Sequence, residues 1–503
     1  MCSVRLRKYK FKRLIMKDFF RIKTIIAVAI LSLSATSMAF AGGILTNTNP
    51  SARFARLMAL DASTNADAAY YNPAGTIKLS EGFHFSFSNQ SVFQERIITS
   101  SFAPMTGAGT KDFIGKASAP LVPGLQAVYR KGKWALSGNI SITGGGGKAT
   151  FDDGLPSFES QVSMLVPAIN QIGAGLANAI PGSSLISKGY SLDQYMHGVN
   201  YIFGTQLGGT YQINDMFSVY GGFRLNIVHN EYEGHLTNLR MNIDSEGLMG
   251  QTGIPDNSGF MDPSAIFNFV NNNPNTPQPT KDMLILPSKM AADGAHLESK
   301  QSGWGVAPII GVHFSHAGLN IGTKYEFKNG LNVENKTTRD DTGLYGDGVN
   351  TAHDSPALFT IGASYDILPS LTASVGYHLF FDKDASMAND KQKHLSDNTN
   401  EYLAGIEYRI NDMFLISTGG QITRFGATDA FQSDLSFSID SYSIGFGGAV
   451  NLSKNVQLNV GYFFTNYSDY TKSSANYNGT GVPGTDVYSR TNKVFAAGID
   501  FSF

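Results

Sequence analysis

Side chains able to do chemistry are plentiful in this 503-residue chain, but they are rarely gathered. Its ten histidines are scattered. None falls in the His-Glu-x-x-His spacing that puts two metal-ligating rings on one helical face. No Gly-x-Ser-x-Gly elbow presents a serine nucleophile. The run Gly144, Gly145, Gly146, Gly147 precedes Lys148, but Ala149 follows where a phosphate loop needs Ser or Thr. The single cysteine is Cys2. Hydrolytic, metal and nucleotide chemistry therefore lack support, no cofactor is implied, and the chain is not expected to be an enzyme. What remains is recognition. Arg224 stands between Phe223 and Leu225, and Lys324 between Thr323 and Tyr325. In a segment that alternates, each cation points away from the apolar face. An Arg and a Lys brought together can bracket one carboxylate with charge-assisted hydrogen bonds.

The elements that must position them are strands. Phe83, Phe85 and Phe87 alternate with His84, Ser86 and Ser88. Trp134 to Ile142, Leu319 to Phe327 and Leu371 to Leu379 repeat the pattern. Period two means strands with one apolar, aromatic face and one polar face. Tight turns join them in pairs at Lys131-Gly132, Tyr211 to Phe217, Ser315 to Gly318, Leu368 to Ser370, Tyr408 to Phe414 and Ser453 to Asn455. The opposite ends are joined by longer polar stretches, roughly 91–119, 146–194, 233–301, 329–353, 382–399, 426–433 and 469–486. Short turns at one end and long loops at the other organise a membrane β-barrel. The count is about fourteen strands, even as closure requires. The last strand alternates to the terminal Phe503, an end signal of the kind the barrel-insertion machinery reads. The predicted fold class is an all-β transmembrane antiparallel barrel over 81–503, its aromatic face toward outer-membrane lipid. A soluble all-β protein is the alternative.

Composition agrees. Charged residues are only 16%, with 54 glycines and 12% aromatics, unlike a disordered chain. The longest apolar run, Ile25 to Leu33, is too short for a membrane helix. It reads with Lys17, Arg21, Lys23 and the Ala39-Phe40-Ala41 site as a signal peptide over 1–41, Met16 being a second candidate start. Residues 1–41 hold nine of the 38 basic residues and one of the 40 acidic ones. The remainder is acidic and has no basic run, so nucleic acid is excluded as a partner.

Residues 42–80 lack alternation and contain Asn72-Pro73-Ala74-Gly75 just before the first strand. With the strand count, this resembles the outer-membrane long-chain fatty acid transporter family, the FadL type. Further likeness runs through 123–147, 303–337 and 355–385. The resemblance implies a fourteen-stranded barrel in the outer membrane of a Gram-negative cell. It implies an N-terminal hatch over 42–80 carrying the motif Asn72, Pro73, Ala74, expected to contact the wall near the third strand. It also implies passive uptake of hydrophobic molecules, chiefly long-chain fatty acids, with sideways exit through a wall gap. Gly144, Gly145, Gly146 and Gly147 at the end of the third strand are the candidate gap, because glycine weakens strands and marks bulges. Arg224 and Lys324 then become candidates for the fatty acid head group, the alternative being that Lys324 simply pairs with Glu326 on the same face. They lie on the fifth and seventh strands, backbones about 10 Å apart at ~4.8 Å per strand. In the loop 146–194, Val162 to Ile180 suits an amphipathic helix pair broken at Pro167. That pair either collects apolar ligands, with Met283 to Leu286 as a facing wall, or packs on its neighbours. An open general porin and a structural or adhesive barrel are the other functional readings.

Overall fold

The computed structural model describes residues 43–503, apart from 275, 277, 279, 280, 282 and 283. The signal peptide reading of 1–41 and Met283 lie outside the described residues. Fourteen antiparallel strands close on themselves. They are β1 (Gly82–Ser101), β2 (Lys111–Lys131), β3 (Trp134–Phe151), β4 (Ser184–Gln212), β5 (Phe217–Glu246) and β6 (Ala295–His316). Then come β7 (Leu319–Glu326, resumed at Asn332–Asp340) and β8 (Asn350–Ala352, resumed at Leu358–Leu368). The circuit continues with β9 (Leu371–Phe380), β10 (Thr399–Arg409), β11 (Phe414–Arg424), β12 (Ser441–Ser453), β13 (Val456–Tyr467) and β14 (Gly484–Ser502). β14 pairs with β1 from His84–Ser502 to Ser101–Thr485 and leaves no edge. Lipid cannot satisfy an open edge, so closure is what lets these strands span.

Alternation sets the two faces. On β1, His84, Ser86 and Ser88 are buried inside while Phe83 and Phe87 face out. Outward rings gather near the tight turns, where Phe83 meets Tyr129, Trp134 meets Tyr211 and Phe217 meets Phe314 at 4.5–5.0 Å between centroids. Aromatic girdles of this kind mark the membrane interface. Among the described residues no helix is long and apolar enough to cross a membrane.

The strands outrun the expected ones at the long-loop end. Much of 91–119 is paired strand, and β4 and β5 stay paired, through two register shifts, up to Ser184–Glu246. The polar residues there mark where the wall leaves lipid, not where pairing stops. In the longest loops, helices Pro156–Ser163 and Leu165–Ala179 break at Met164 rather than Pro167. Pro167 falls in the first turn of the second helix, where its missing N–H loses no intrahelical bond. Val162, Leu165, Ile169 and Leu176 are buried against Leu239, Met241, Ile243, Ile266, Phe267 and Leu284. The pair thus packs on neighbouring loops and strands.

Candidate functional site

Residues 43–77 are almost wholly buried, in short helical turns Phe54–Leu57, Ala68–Tyr71 and Pro73–Lys78. Their bonds reach strands on every side of the barrel, which places the segment inside it. Arg56 Nη1 donates to Glu407 of β10 at 2.6 Å and to Ser417 of β11 at 2.7 Å, and its Nη2 to Asn459 of β13 at 3.0 Å. Asp61 meets His378 Nε2 of β9 at 2.9 Å, and His378 Nδ1 meets Glu401 of β10 at 2.9 Å. Asn49 Nδ2 donates to Gln90 of β1 at 3.2 Å, and Gln206 of β4 donates to the Ala69 carbonyl at 2.9 Å. Lumen-facing glycines give the backbone room. A Cβ on Gly405 or Gly419 would lie about 2 Å from the Leu57 carbonyl oxygen.

The trio Asn72, Pro73, Ala74 makes its wall bonds away from the glycine run of the third strand. Asn72 Nδ2 lies 3.0 Å from His313 Nδ1 of β6. The Pro73 carbonyl accepts from Thr210 of β4, and the Ala74 carbonyl from Ser218 of β5, both at 2.7 Å. These bonds fall on the three strands that follow the third, while the Pro73–Lys78 turn also touches the third strand itself. Without periodicity in the segment, its register against the wall had no signal in the sequence. The glycine run is instead met by Leu45 and Asn47. A Cβ on Gly144 would lie 2.3 Å from the Leu45 carbonyl oxygen. Asn47 donates its backbone N–H to Thr143 O at 2.8 Å and its side-chain amide to Gly145 O at 3.0 Å.

At this level the wall itself is interrupted. β2 and β3 pair up to Gly124–Ser141 and resume only at Ala117–Ala149, so 118–123 and 142–148 face each other without ladder bonds. β3 keeps β4 by means of two register shifts, at Ile142/Gly144 and Gly145/Gly147. Gly145 and Gly147 have φ of 81° and 76°, a region closed to most side chains. Pro120 and Pro123 sit on the facing stretch of β2, where they have no N–H to offer. Two prolines in one strand of a closed barrel were the missed sequence signal for an unpaired edge. Leu121, 75% exposed, stands at the outer mouth of the interruption.

Arg224 and Lys324 come together as the spacing predicts, on β5 and β7 with β6 between. Both are buried and already have partners. Arg224 donates to Glu326 and Gln206, each at 2.7 Å. Lys324 Nζ donates to the Tyr70 carbonyl at 3.0 Å. Both cations lie over the Tyr70 ring, 4.8 and 4.7 Å from its centroid. The Tyr70 hydroxyl donates in turn to the Asn47 carbonyl at 2.8 Å. One tyrosine thus links the cation pair to the residue that covers the wall interruption. Nothing in the sequence singled out Tyr70 or Asn47.

No protein-family model matches the sequence, and no curated protein matches it. Solved structures do. A FadL homologue from Pseudomonas aeruginosa shares 11% identity at a TM-score of 0.59, covering 92% of this chain and 100% of that one. The toluene transporter TodX of P. putida shares 13% at 0.52, covering 88% and 95%. A deltaS2S3 mutant of TodX, described as a monoaromatic hydrocarbon channel, shares 12% at 0.54, covering 90% and 99%. At these identities the likeness is one of fold. This chain has the closed fourteen-strand barrel of the FadL-type outer-membrane proteins.

Proposed function

We propose that this chain, a barrel of the FadL-type fold, is a passive outer-membrane channel for hydrophobic molecules, with long-chain fatty acids as its main cargo. The observation that carries the reading is the unpaired stretch between β2 and β3, backed from inside by Leu45 and Asn47. A lumen blocked by residues 43–80 favours cargo that leaves sideways into lipid over a general porin, which needs an open polar lumen. An apolar solute gains from that exit, because it passes from a protein pocket to bilayer without recrossing water.

In this reading, residues 42–80 act as the hatch and Gly144 to Gly147 let β3 part from β2. Arg224 and Lys324 receive the acid head group once Tyr70 moves aside. Tyr70 then releases Asn47, and the cover over the interruption loosens. The pair Arg224 and Lys324 favours acids over neutral hydrocarbons, since a carboxylate entering a low-dielectric site needs compensation. The test is uptake of labelled oleate by cells that lack other routes for it. Expression of the chain should restore uptake, and a hydrophilic sugar of similar mass should stay excluded. Sugar entry without oleate entry would make it a porin.

A further inference from the structure

Above the N-terminal segment, the seam of the barrel carries two arginines side by side. Arg96 of β1 and Arg490 of β14 are directly opposite each other in the closing pair. Both point into the lumen, Arg96 at 0% exposure and Arg490 at 5%. Like charges directly opposite in a sheet repel, and burying them makes the repulsion worse. None of the three guanidinium nitrogens of Arg96 has a hydrogen-bond partner among the described residues. The nearby carboxylates are engaged elsewhere. Asp434 accepts from the backbone of Ser157 and Leu435, and Asp486 from Ser100, Tyr477 and Tyr488. The next inward pair along the seam, Gln94 and Asn492, also holds amide atoms without partners among the described residues.

What fills the space is the loop between β11 and β12. Its Phe437 ring lies 4.4 Å from Arg96 Cζ and 5.2 Å from Arg490 Cζ, and 4.9 Å from the Tyr488 ring. The Phe437 carbonyl accepts from Arg490 Nη2 at 3.1 Å. Ile98, Phe113, Phe151, Leu435 and Ile439 form the apolar layer around it. A phenyl ring and a carbonyl oxygen therefore stand where the body and the head of an amphipathic anion would fit. Arg490 also has the Tyr467 ring 5.3 Å from its Cζ, whereas the Phe437 ring face answers the charge of Arg96 only in part.

We propose that Arg96 and Arg490 form a binding site for the carboxylate of an amphipathic acid whose chain lies in this apolar layer. Residues 431–439 act as a strap that occupies the site until the acid displaces Phe437. The proposal rests on the channel reading above and adds an acid-selective station before the N-terminal segment.

The test uses the full chain, purified in a non-ionic detergent and titrated calorimetrically with decanoate and with decanol. Decanoate should bind at least about tenfold more tightly than decanol, the scale of one charge-assisted pair. Arg96→Gln should remove this decanoate-selective site from the isotherm, with the Arg224–Lys324 site and decanol binding left in place, and Arg96→Lys should keep part of it. Phe437→Ala should raise decanoate affinity several-fold by removing the competing ring. Decanol binding serves as the folding control for each variant. Decanoate affinity unchanged in Arg96→Gln, or reduced in Phe437→Ala, would overturn the site while leaving the channel reading standing. Failure of the wild-type protein to bind either probe would remove both.

Discussion

Replacing Tyr70 by Phe removes one hydroxyl and nothing else. The ring stays, so Arg224 and Lys324 keep their aromatic neighbour. What is lost is the 2.8 Å bond to the Asn47 carbonyl, which then lies buried without its donor. A buried bond of this kind contributes about 1–1.5 kcal/mol net, a factor of about ten in the balance between covered and uncovered wall. Asn47 keeps its two bonds to Thr143 and Gly145, so the cover still forms. Native-state hydrogen exchange reads the Asn47 amide, which is bonded to Thr143 O in the covered state. Its protection should fall about tenfold in Tyr70→Phe, with fatty acid uptake rising or holding. Unchanged protection at Asn47 would refute the link between the cation pair and the wall.

Three further outcomes follow from the same contacts. His378→Leu leaves Asp61 and Glu401 buried without the ring between them, at a cost of about 3–5 kcal/mol; ion conductance in planar bilayers should rise as the segment loosens. Gly145→Ala forces a side chain into φ 81° with its Cβ 2.3 Å from the Asn200 carbonyl oxygen, so uptake should drop while the barrel still assembles, read by heat-modifiable gel mobility. In the loop outside the membrane, Lys391 donates to Ser436 O of the strap at 2.9 Å, and burial, with Lys472 and Arg96 nearby and only Asp434 opposing, lowers its pKa to about 7. The docked strap then binds fewer protons than the released one between pH 7 and the ordinary lysine range, so docking strengthens as pH rises through that window, by up to about 1.4 kcal/mol per unit. Proteolysis of 425–440 should slow from pH 6 to pH 9, and Lys391→Met should flatten the profile.

The wall was legible because a membrane barrel writes its geometry into alternation. Phe83, Phe85 and Phe87 against His84, Ser86 and Ser88 give both faces of β1, and Asn411-Asp412 marks a turn as plainly as Asn214-Asp215 does. Strand ends were not legible, since Ser184 to Gln194 is polar yet stays paired to β5. The meeting of Arg224 with Lys324 followed from strand counting and the inward face of Glu326 from alternation, though Glu326 accepts from Arg224 rather than Lys324; Gln206 and Tyr70 did not follow. Glu326, Gln206 and Tyr70 come from three separate elements, and the last from a segment with no period at all. Leu45 and Asn47 at the wall were illegible for the same reason, whereas Pro120 and Pro123 were in plain view and carry a rule that could have been used.

The claim on which the account turns is sideways exit between β2 and β3. With Cys2 in the predicted signal peptide, residues 42–503 contain no cysteine, so one engineered pair can bridge 118–123 of β2 to 142–148 of β3. Uptake of labelled oleate should stop in the oxidised form and return on reduction, with barrel assembly and ligand binding unchanged. Full uptake through the oxidised, cross-linked wall would contradict the account.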